Sequence, residues 1–271
     1  MARFAGARDE LVPACRAGGR STVLCVVYLL SAELSVGSGE HDGYPFGLPA
    51  VRALPDIEFA PVTVFVGDNG TGKSTLVEAL AVAAGFNAEG GSRNLQFETY
   101  ATHSALASRL RLRWSRRPRW GWFLRAETFY GMATHITRDD EVDDRGRPVG
   151  VAKMFPDLHH RSHGESFLTL IDSRMSDDGL YLLDEPESAL SFHGQLKLLG
   201  TMYDACSIGA QFVIATHSPM LMAYPGARIY EFDDDGAHAV LFDEVSFVGL
   251  WRTFLESPDR YFRHLFDESA D

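Results

Sequence analysis

Residues 67–75 contain the eight-residue pattern G-x-x-x-x-G-K-[ST], followed by Thr75, and the residue types of this pattern suit the binding of an anion. Its glycines let the backbone curl until successive N–H groups face one phosphate. Lys73 can neutralise phosphates, and the Ser74 hydroxyl can bind a divalent cation. The pattern therefore predicts a site for a nucleoside triphosphate such as ATP, with Mg²⁺. The predicted binding residues are Gly67, Asp68, Asn69, Gly70, Thr71, Gly72, Lys73, Ser74 and Thr75.

The segments on either side of this loop are predicted to hold it in place. Residues 62–66 are apolar and partly β-branched, which predicts a buried strand, and residues 74–84 predict a helix. Strand, loop and helix in this order are the context that the motif requires, and the helix N-terminus adds partial positive charge. The alternative, an ordinary glycine-rich turn before a helix, is disfavoured because the whole motif is present.

Two later strands are predicted to end in side chains that suit phosphate hydrolysis. Residues 180–183 are apolar and are followed by Asp184 and Glu185. Asp184 can reach Mg²⁺ through water, and Glu185 can polarise an attacking water molecule. A strand over residues 211–216 ends in His217, which the carboxyl edge of a parallel sheet would bring near the same phosphates. The predicted catalytic residues are Lys73, Glu185 and His217, and the predicted metal ligands are Ser74 and Asp184.

A polar turn at residues 162–166 precedes an apolar helix and offers a second helix N-terminus to an anion. Ser162, Gly164 and Glu165 are therefore predicted to contact the γ-phosphate. Histidines and an aspartate around the start of this turn suggest a metal site as the alternative, but their spacing is not diagnostic of one. We favour the anion-binding turn. The alternative metal ligands are Asp157, His159, His160 and His163.

Composition limits the classes of protein to which this chain can belong. Its 271 residues, 45% hydrophobic and 23% charged, suit one large or two small globular domains. A net charge of −12 argues against broad nonspecific affinity for nucleic acid, although a local basic patch could still bind it. Three scattered cysteines suit neither a disulfide framework nor a clustered zinc site, which favours a reducing compartment, the cytoplasm. They are Cys15, Cys25 and Cys206.

The two ends of the chain are predicted to have structural roles. The apolar run at residues 22–30 is too short to span a bilayer and is followed by a poor signal-peptidase site. We therefore predict a strand over residues 23–34 after a loosely ordered extension at residues 1–20. Residues 228–242 predict a closing hairpin, and residues 247–256 an amphipathic helix.

Two aromatic segments allow more than one interpretation. Tyr44 or Phe46 can stack on an adenine, but we favour packing of both rings against the edge of the sheet. Residues 109–114 alternate strictly and, with residues 120–124, predict a β-hairpin whose arginines and tryptophans can bind a nucleic-acid strand. We favour instead a hairpin with its Leu/Trp face inward and its Arg face solvated, because the surrounding chain is acidic.

Taken together, these segments resemble the cassette of an ABC-type ATPase. The likeness covers residues 28–230 and is greatest to the compact, stand-alone ATPases of the AAA/ABC-like group. Residues 257–261, Ser-Pro-Asp-Arg-Tyr, also resemble the C-terminal tail of that group. Residues 67–75 resemble the Walker A loop of that family, and residues 162–165 resemble its signature turn. Residues 180–185 resemble its Walker B strand, residues 186–191 its D-loop, and His217 its switch histidine.

The chain departs from the family pattern at several positions. Its Ser-His-Gly-Glu signature resembles that of soluble relatives in DNA repair and chromosome maintenance rather than the Ser-Gly-Gly-Gln of transporters. Ser191 stands where the D-loop has an aspartate, and Arg125 and Glu127 stand where the glutamine of the Q-loop is expected. The γ-phosphate sensor therefore stays unassigned. No sustained heptads separate the two Walker motifs, which excludes a large coiled-coil arm.

The resemblance implies an α/β fold, that of a P-loop NTPase with an ABC-ATPase-like mixed sheet, helices on both faces and an antiparallel β portion. It implies one ATPase domain over residues 21–271. Within it, residues 23–125 and 175–245 form the nucleotide-binding core, residues 126–175 the helical signature region, and residues 246–271 the C-terminal helices.

The resemblance also implies a mechanism in which two copies pair head to tail. Ser162 and Gly164 of one copy then close over the γ-phosphate of ATP held by Lys73 of the other, and hydrolysis releases them. Three classes of function follow. The first is a soluble ATPase that switches a protein or nucleic-acid partner. The alternatives are the ATP-binding subunit of an ABC transporter, docked on a membrane protein, and a nucleotide-dependent binding module with little turnover.

Overall fold

The computed structural model describes residues 27–35, 43–87, 105–127, 163–175 and 179–267, and the apolar runs in these ranges form two sheets. The larger sheet has the strand order β5-β6-β7-β3-β8-β9, and the smaller one the order β2-β1-β4. The strands are β1 (Leu29–Leu34), β2 (Ile57–Glu58), β3 (Val62–Gly67), β4 (Leu110–Trp114), β5 (Trp120–Arg125), β6 (Gly179–Asp184), β7 (Gln211–Ala215), β8 (Arg228–Asp233) and β9 (Gly236–Val240).

Helices pack on both faces of the larger sheet, as predicted for an α/β protein. One core cluster lies against the helix that follows β3, and the other lies against the helices that follow the signature turn and β6. The helices are α1 (Pro49–Arg52), α2 (Lys73–Ala84), α3 (Ala105–Arg109), α4 (His163–Arg174), α5 (Phe192–Ser207), α6 (Pro219–Met222), α7 (Ser246–Glu256) and α8 (Pro258–Asp267), with short 3-10 turns at Pro186–Ala189 and Phe242–Glu244.

The centre of the larger sheet is parallel and buried. β5, β6, β7, β3 and β8 run parallel, and every residue of β3, β6 and β7 is buried. Strands covered on both faces are continuous apolar runs, which is why the sequence predicts them well. Because parallel strands share one carboxyl edge, the segments after β3, β6 and β7 meet there.

The hairpin predicted from residues 109–124 is wrong. β4 pairs with β1 in the smaller antiparallel sheet, whereas β5 pairs with β6 in the larger one. The physical reason is burial: Trp122, Phe123 and Leu124 are all buried, which suits a strand covered on both faces. In β4 the predicted alternation holds, because its two arginines are exposed and its leucines are partly or fully buried.

The strand predicted over residues 23–34 is shorter in the structure, since β1 begins at Leu29 and residues 23–26 lie outside the described ranges. At the other end, β8 and β9 form the predicted hairpin, and α7 covers the predicted helix. Cys206 is buried, whereas Cys15 and Cys25 lie outside the described residues. No helix within the described ranges is long and apolar enough to cross a membrane.

A buried glutamine joins the two sheets. The Gln211 side chain is fully buried and makes four hydrogen bonds. Its Oε1 accepts from the backbone N–H groups of Tyr28 and Leu29, at 3.0 and 2.9 Å. Its Nε2 donates to the carbonyl oxygens of Leu29 and Ala60, at 2.9 and 3.1 Å. This amide therefore satisfies the backbone at the start of β1, where a parallel sheet meets an antiparallel one.

We expect Gln211→Leu to lower the free energy of unfolding by at least about 3 kcal/mol, since each buried backbone group left unpaired costs about 1–3 kcal/mol. Urea unfolding followed by circular dichroism measures this loss. Gln195→Leu is the matched control, because Gln195 is only partly buried and bonds to the side chain of Ser218. Equal losses in the two variants would contradict the bridging role of Gln211.

Candidate active site at the carboxyl edge of the sheet

The loop after β3 has the backbone that its glycines predict. Gly67, Gly70 and Gly72 have φ values of 138°, 81° and 103°, in the region that other residues rarely adopt. At Gly67 a Cβ atom would lie 2.2 Å from the carbonyl oxygen of Phe232 in β8, so only glycine fits there. α2 begins directly after the loop, with the N–H of Leu76 donating to the carbonyl oxygen of Gly72 at 2.9 Å. The helix N-terminus therefore faces the space that the loop encloses.

Lys73 folds back over the loop. Its side chain is buried, with 4% of its surface exposed, and Nζ donates to the carbonyl oxygens of Gly67 and Asp68 at 2.8 and 2.7 Å. Burial lowers the pKa of Lys73, although the negative charges of Glu185, Asp184 and other nearby carboxylates oppose the shift. A buried cation with carbonyl oxygens as its partners is suited to move onto a phosphate, which compensates its charge better.

Asp184 ends β6 beside this lysine and is almost fully buried. Burial raises its pKa, while the Ser74 hydroxyl and Arg125 act in the opposite direction. Arg125 donates from Nε to Oδ2 of Asp184 at 3.0 Å. Oδ1 is buried and has no hydrogen-bond partner among the described residues. One carboxylate oxygen of Asp184 is therefore left for a ligand.

Glu185, the residue predicted to activate water, adopts a strained conformation. Its φ and ψ of 48° and 51° are left-handed, which a non-glycine residue adopts only at a cost of about 1–2 kcal/mol. Hydrogen bonds stabilise this backbone conformation. The N–H of Glu185 donates to the carbonyl oxygen of Ala215, and the carbonyl oxygen of Glu185 accepts from the hydroxyl of Ser188. Oε1 of Glu185 then lies 3.6 Å from Nε2 of His217. The fold thus brings the three predicted catalytic residues, Lys73, Glu185 and His217, to one edge of the sheet.

Two family models match the segments that meet at this edge. The model described as "AAA domain" matches residues 52–110, which contain the phosphate loop. The model described as "AAA domain, putative AbiEii toxin, Type IV TA system" matches residues 158–223, which contain Asp184, Glu185 and His217. The chain is a P-loop NTPase of the ABC/AAA type.

Solved structures of similar fold include the SMC head domain from Thermotoga maritima. It is 17% identical to this NTPase, with a TM-score of 0.42, and the match covers 79% of this chain and 98% of that one. The SmcHead in its complex with the C-winged helix domain of ScpA is 13% identical, with a TM-score of 0.43 and coverage of 79% and 97%. No curated protein gave a significant match. The assignment rests on the family models and the phosphate loop rather than on these likenesses.

Glu187 belongs to the site of this NTPase, although the sequence analysis assigned it only to the D-loop. Its Oε1 accepts the backbone N–H of His217 at 2.5 Å, which fixes the start of the segment that carries the histidine ring. Its Oε2 is buried without a hydrogen-bond partner among the described residues. The only sequence signal was a third acid after Asp184 and Glu185.

Ser191, where the family has an aspartate, caps α5 by accepting the N–H of Gly194 at 3.2 Å.

The signature turn is described from its second residue onward. Gly164 lies against the turn after β6, since a Cβ atom there would be 3.2 Å from the carbonyl oxygen of Ala189. Glu165 is an exposed acid in the first turn of α4. Ser162, Asp157, His159 and His160 lie outside the described residues, and the backbone of His163 begins α4.

The expectation that Tyr44 and Phe46 both seal the sheet edge is wrong for Tyr44. Phe46 packs against the core, but 77% of Tyr44 is exposed. Its hydroxyl lies 3.3 Å from Oγ1 of Thr75, the last of the predicted binding residues 67–75. The segment bends at Pro45 and buries that proline instead of the tyrosine ring. Tyr44 is therefore free of the core and lies next to the nucleotide loop.

The oxygen atoms of Asp184 and Ser74 suit the binding of Mg²⁺. The cation prefers oxygen ligands and takes only one or two from the protein when it is bound with phosphates. The buried, unpartnered Oδ1 of Asp184 and the nearby Ser74 hydroxyl supply such oxygens. Among the described residues no group of three His, Cys, Asp or Glu side chains could hold a metal by itself.

Proposed function

We propose that this P-loop NTPase hydrolyses ATP to ADP and phosphate at a Mg²⁺-dependent site, and that two copies close head to tail around the nucleotide. The observation that carries the proposal is the strained Glu185, whose carboxylate lies 3.6 Å from Nε2 of His217. A module that only bound nucleotide would have no need to hold a base in a costly conformation. The geometry therefore favours turnover over binding alone.

Each residue of the site has one proposed role. Lys73 and the N–H groups of the loop bind the β- and γ-phosphates, and Ser74 and Asp184 hold Mg²⁺, which neutralises phosphate charge when bound. Glu185 orients and deprotonates the attacking water. His217 donates a hydrogen bond to the γ-phosphate from Nε2, a buried atom without a hydrogen-bond partner among the described residues. Tyr44, which is exposed beside the phosphate loop, would stack on the adenine ring of ATP.

The proposed dimer follows from the position of the signature turn. Gly164 lies against the turn after β6, where a Cβ atom would be 3.2 Å from the carbonyl oxygen of Ala189. A turn held there would complete the nucleotide site of a second copy, with Ser162, Gly164 and Glu165 contacting the γ-phosphate. ATP would then form part of the interface, and its hydrolysis would release the two copies. We propose that this cycle switches a protein or nucleic-acid partner in the cytoplasm, within one ATPase domain over residues 21–271.

The dimer model predicts that the ATPase rate per chain depends on protein concentration. Below the dissociation constant of the dimer, doubling the concentration should raise the total rate roughly fourfold, because two chains form each site. Steady-state phosphate release at saturating Mg-ATP, measured over a dilution series, tests this. A rate per chain that is constant over the series would contradict the dimer, and no phosphate release at any concentration would contradict hydrolysis. The same series with added DNA asks whether nucleic acid is the partner, since a DNA substrate should raise the rate.

A further inference from the structure

Arg125 connects two parts of the site that the sequence leaves separate. It ends β5 directly beside Asp184, its register partner at the end of β6. Its Nε donates to Oδ2 of Asp184 at 3.0 Å, and its Nη1 donates to Oε2 of Glu78 at 3.0 Å. The exposed fractions of the three side chains are 23% for Arg125, 4% for Asp184 and 19% for Glu78. Charge-assisted bonds this sheltered from water are well-ordered contacts rather than loose surface pairs.

The hydrogen bond from Arg125 to Glu78 reaches α2, the helix that carries Ser74. Glu78 lies four residues after Ser74 in α2, so the two side chains project from the same face of the helix, one turn apart. Arg125 therefore ties that face of α2 to the end of β6. Through these two contacts Arg125 links Asp184 to the helix face that carries both Glu78 and Ser74.

We propose that Arg125 is a positioning residue for the metal site, one that fixes the spacing of Ser74 and Asp184 and leaves Oδ1 of Asp184 for the cation. This inference rests on the proposed function, since it takes Ser74 and Asp184 as the metal ligands. Oδ2 of Asp184 is held by the guanidinium, whereas Oδ1 is buried and has no hydrogen-bond partner among the described residues. The arginine thus selects which oxygen of the carboxylate meets the metal.

The residue type explains the departure from the family pattern at this position. A guanidinium presents several N–H donors in a rigid fork and can hold two carboxylates at once. A glutamine there has a single amide and no charge, so it could not compensate both Glu78 and Asp184. Glu127, the other residue near the expected glutamine, is exposed. Arg125 therefore acts on the metal ligand rather than as a direct sensor of the γ-phosphate.

A positive charge near a cation could instead weaken metal binding by repulsion, and the two effects have opposite signs. If repulsion dominated, Arg125→Gln would tighten metal binding. If positioning dominates, Arg125→Gln loosens it, and Arg125→Lys, which keeps the charge but loses the fork, loosens it too. Glu78→Gln weakens only the arm that reaches α2 and should have a smaller effect in the same direction. These variants separate the charge of the arginine from its geometry.

The test is the affinity of Mn²⁺ for the protein–ATP complex, measured by the electron paramagnetic resonance signal of free Mn²⁺. We expect Arg125→Gln to weaken this affinity by about 10–100-fold, as is usual for partners that orient a metal ligand. Binding of a fluorescent ATP analogue in EDTA should stay at the wild-type level, because Lys73 and the loop are unchanged. Arg228→Gln, which removes a surface arginine paired with Glu58, is the control and should alter neither affinity.

Unchanged or tighter Mn²⁺ binding in Arg125→Gln would overturn the inference while leaving the proposed function intact. If thermal unfolding shows that Arg125→Gln does not fold, Arg125→Lys and Glu78→Gln decide instead, and wild-type Mn²⁺ affinity in both would overturn it. A wild-type chain that binds the ATP analogue neither with Mn²⁺ nor in EDTA would overturn the proposed function itself. The two failures are therefore distinguishable.

Discussion

Glu185→Gln should lower steady-state ATP turnover by about 10²–10⁴-fold, the usual contribution of a positioned general base, while leaving ATP binding intact. The amide keeps the size and hydrogen-bonding shape of the carboxylate but cannot accept the proton of the attacking water. Lys73, Ser74 and Asp184 are untouched, so the phosphate and metal contacts remain. In the proposed cycle hydrolysis opens the dimer, and the variant should therefore accumulate as an ATP-bound pair of chains.

Sedimentation velocity with and without Mg-ATP measures this accumulation. We expect Glu185→Gln to sediment as a species of twice the 30.0 kDa chain mass with Mg-ATP and as a monomer without nucleotide. Glu58→Gln is a matched control, because Glu58 is an exposed carboxylate that pairs with Arg228 outside the site. Its turnover and sedimentation should equal those of the wild type. A Glu185→Gln protein that stays monomeric with Mg-ATP would contradict the dimer, whereas wild-type turnover would remove Glu185 from catalysis.

The sequence predicts those parts of the fold in which a local pattern decides the structure. β3, β6 and β7 are apolar runs bounded by polar residues, and a strand buried on both faces needs such a run. The phosphate loop is predictable for a similar reason, since its glycines are required where φ is positive. The carboxyl edge of a parallel sheet then brings Asp184, Glu185 and His217 together.

Pairing between distant strands is not contained in local patterns. Residues 109–124 have the alternation and spacing of a hairpin, yet β4 and β5 belong to different sheets. What decides is the surface each strand can cover: β5 is apolar enough to be buried beside β6, whereas the exposed arginines of β4 require a solvated face. The exposure of Tyr44 is likewise not contained in a local pattern, because its segment buries Pro45 and not the tyrosine ring.

The supporting residues of the site were the hardest to predict. Arg125 and Glu187 act through partners 59 and 30 residues away in sequence, Asp184 and His217. Neither spacing corresponds to a helical or strand period, so no pattern indicates the contact. Arg125 could be recognised only as a departure from the glutamine that the family places there. The register of β5 against β6 places Arg125 beside Asp184, the proposed metal ligand.

Lys73→Ala should abolish measurable nucleotide binding. The lysine is a buried cation held by two loop carbonyls, and the charged hydrogen bonds that it would give to phosphates are worth about 1.5–3 kcal/mol each. Loss of two such bonds corresponds to an affinity at least about 100-fold weaker. Since the pKa of Lys73 is lowered by burial, its charge is less stable in the protein than in water, and a phosphate partner should relieve part of that cost.

A loss of nucleotide binding in Lys73→Ala can be separated from a folding defect. Removal of the lysine deletes a buried charge together with two hydrogen bonds to the loop, so the two effects on the free energy of unfolding oppose each other, and we expect a net change within about 1 kcal/mol. Lys197→Ala is the control, because Lys197 is an exposed lysine of α5 paired with Asp172. Fluorescence titration with the ATP analogue, together with urea unfolding, distinguishes the outcomes. Wild-type affinity in a folded Lys73→Ala protein would show that residues 67–75 do not hold the phosphates, and the metal and catalytic roles built on that loop would then have no substrate to act on.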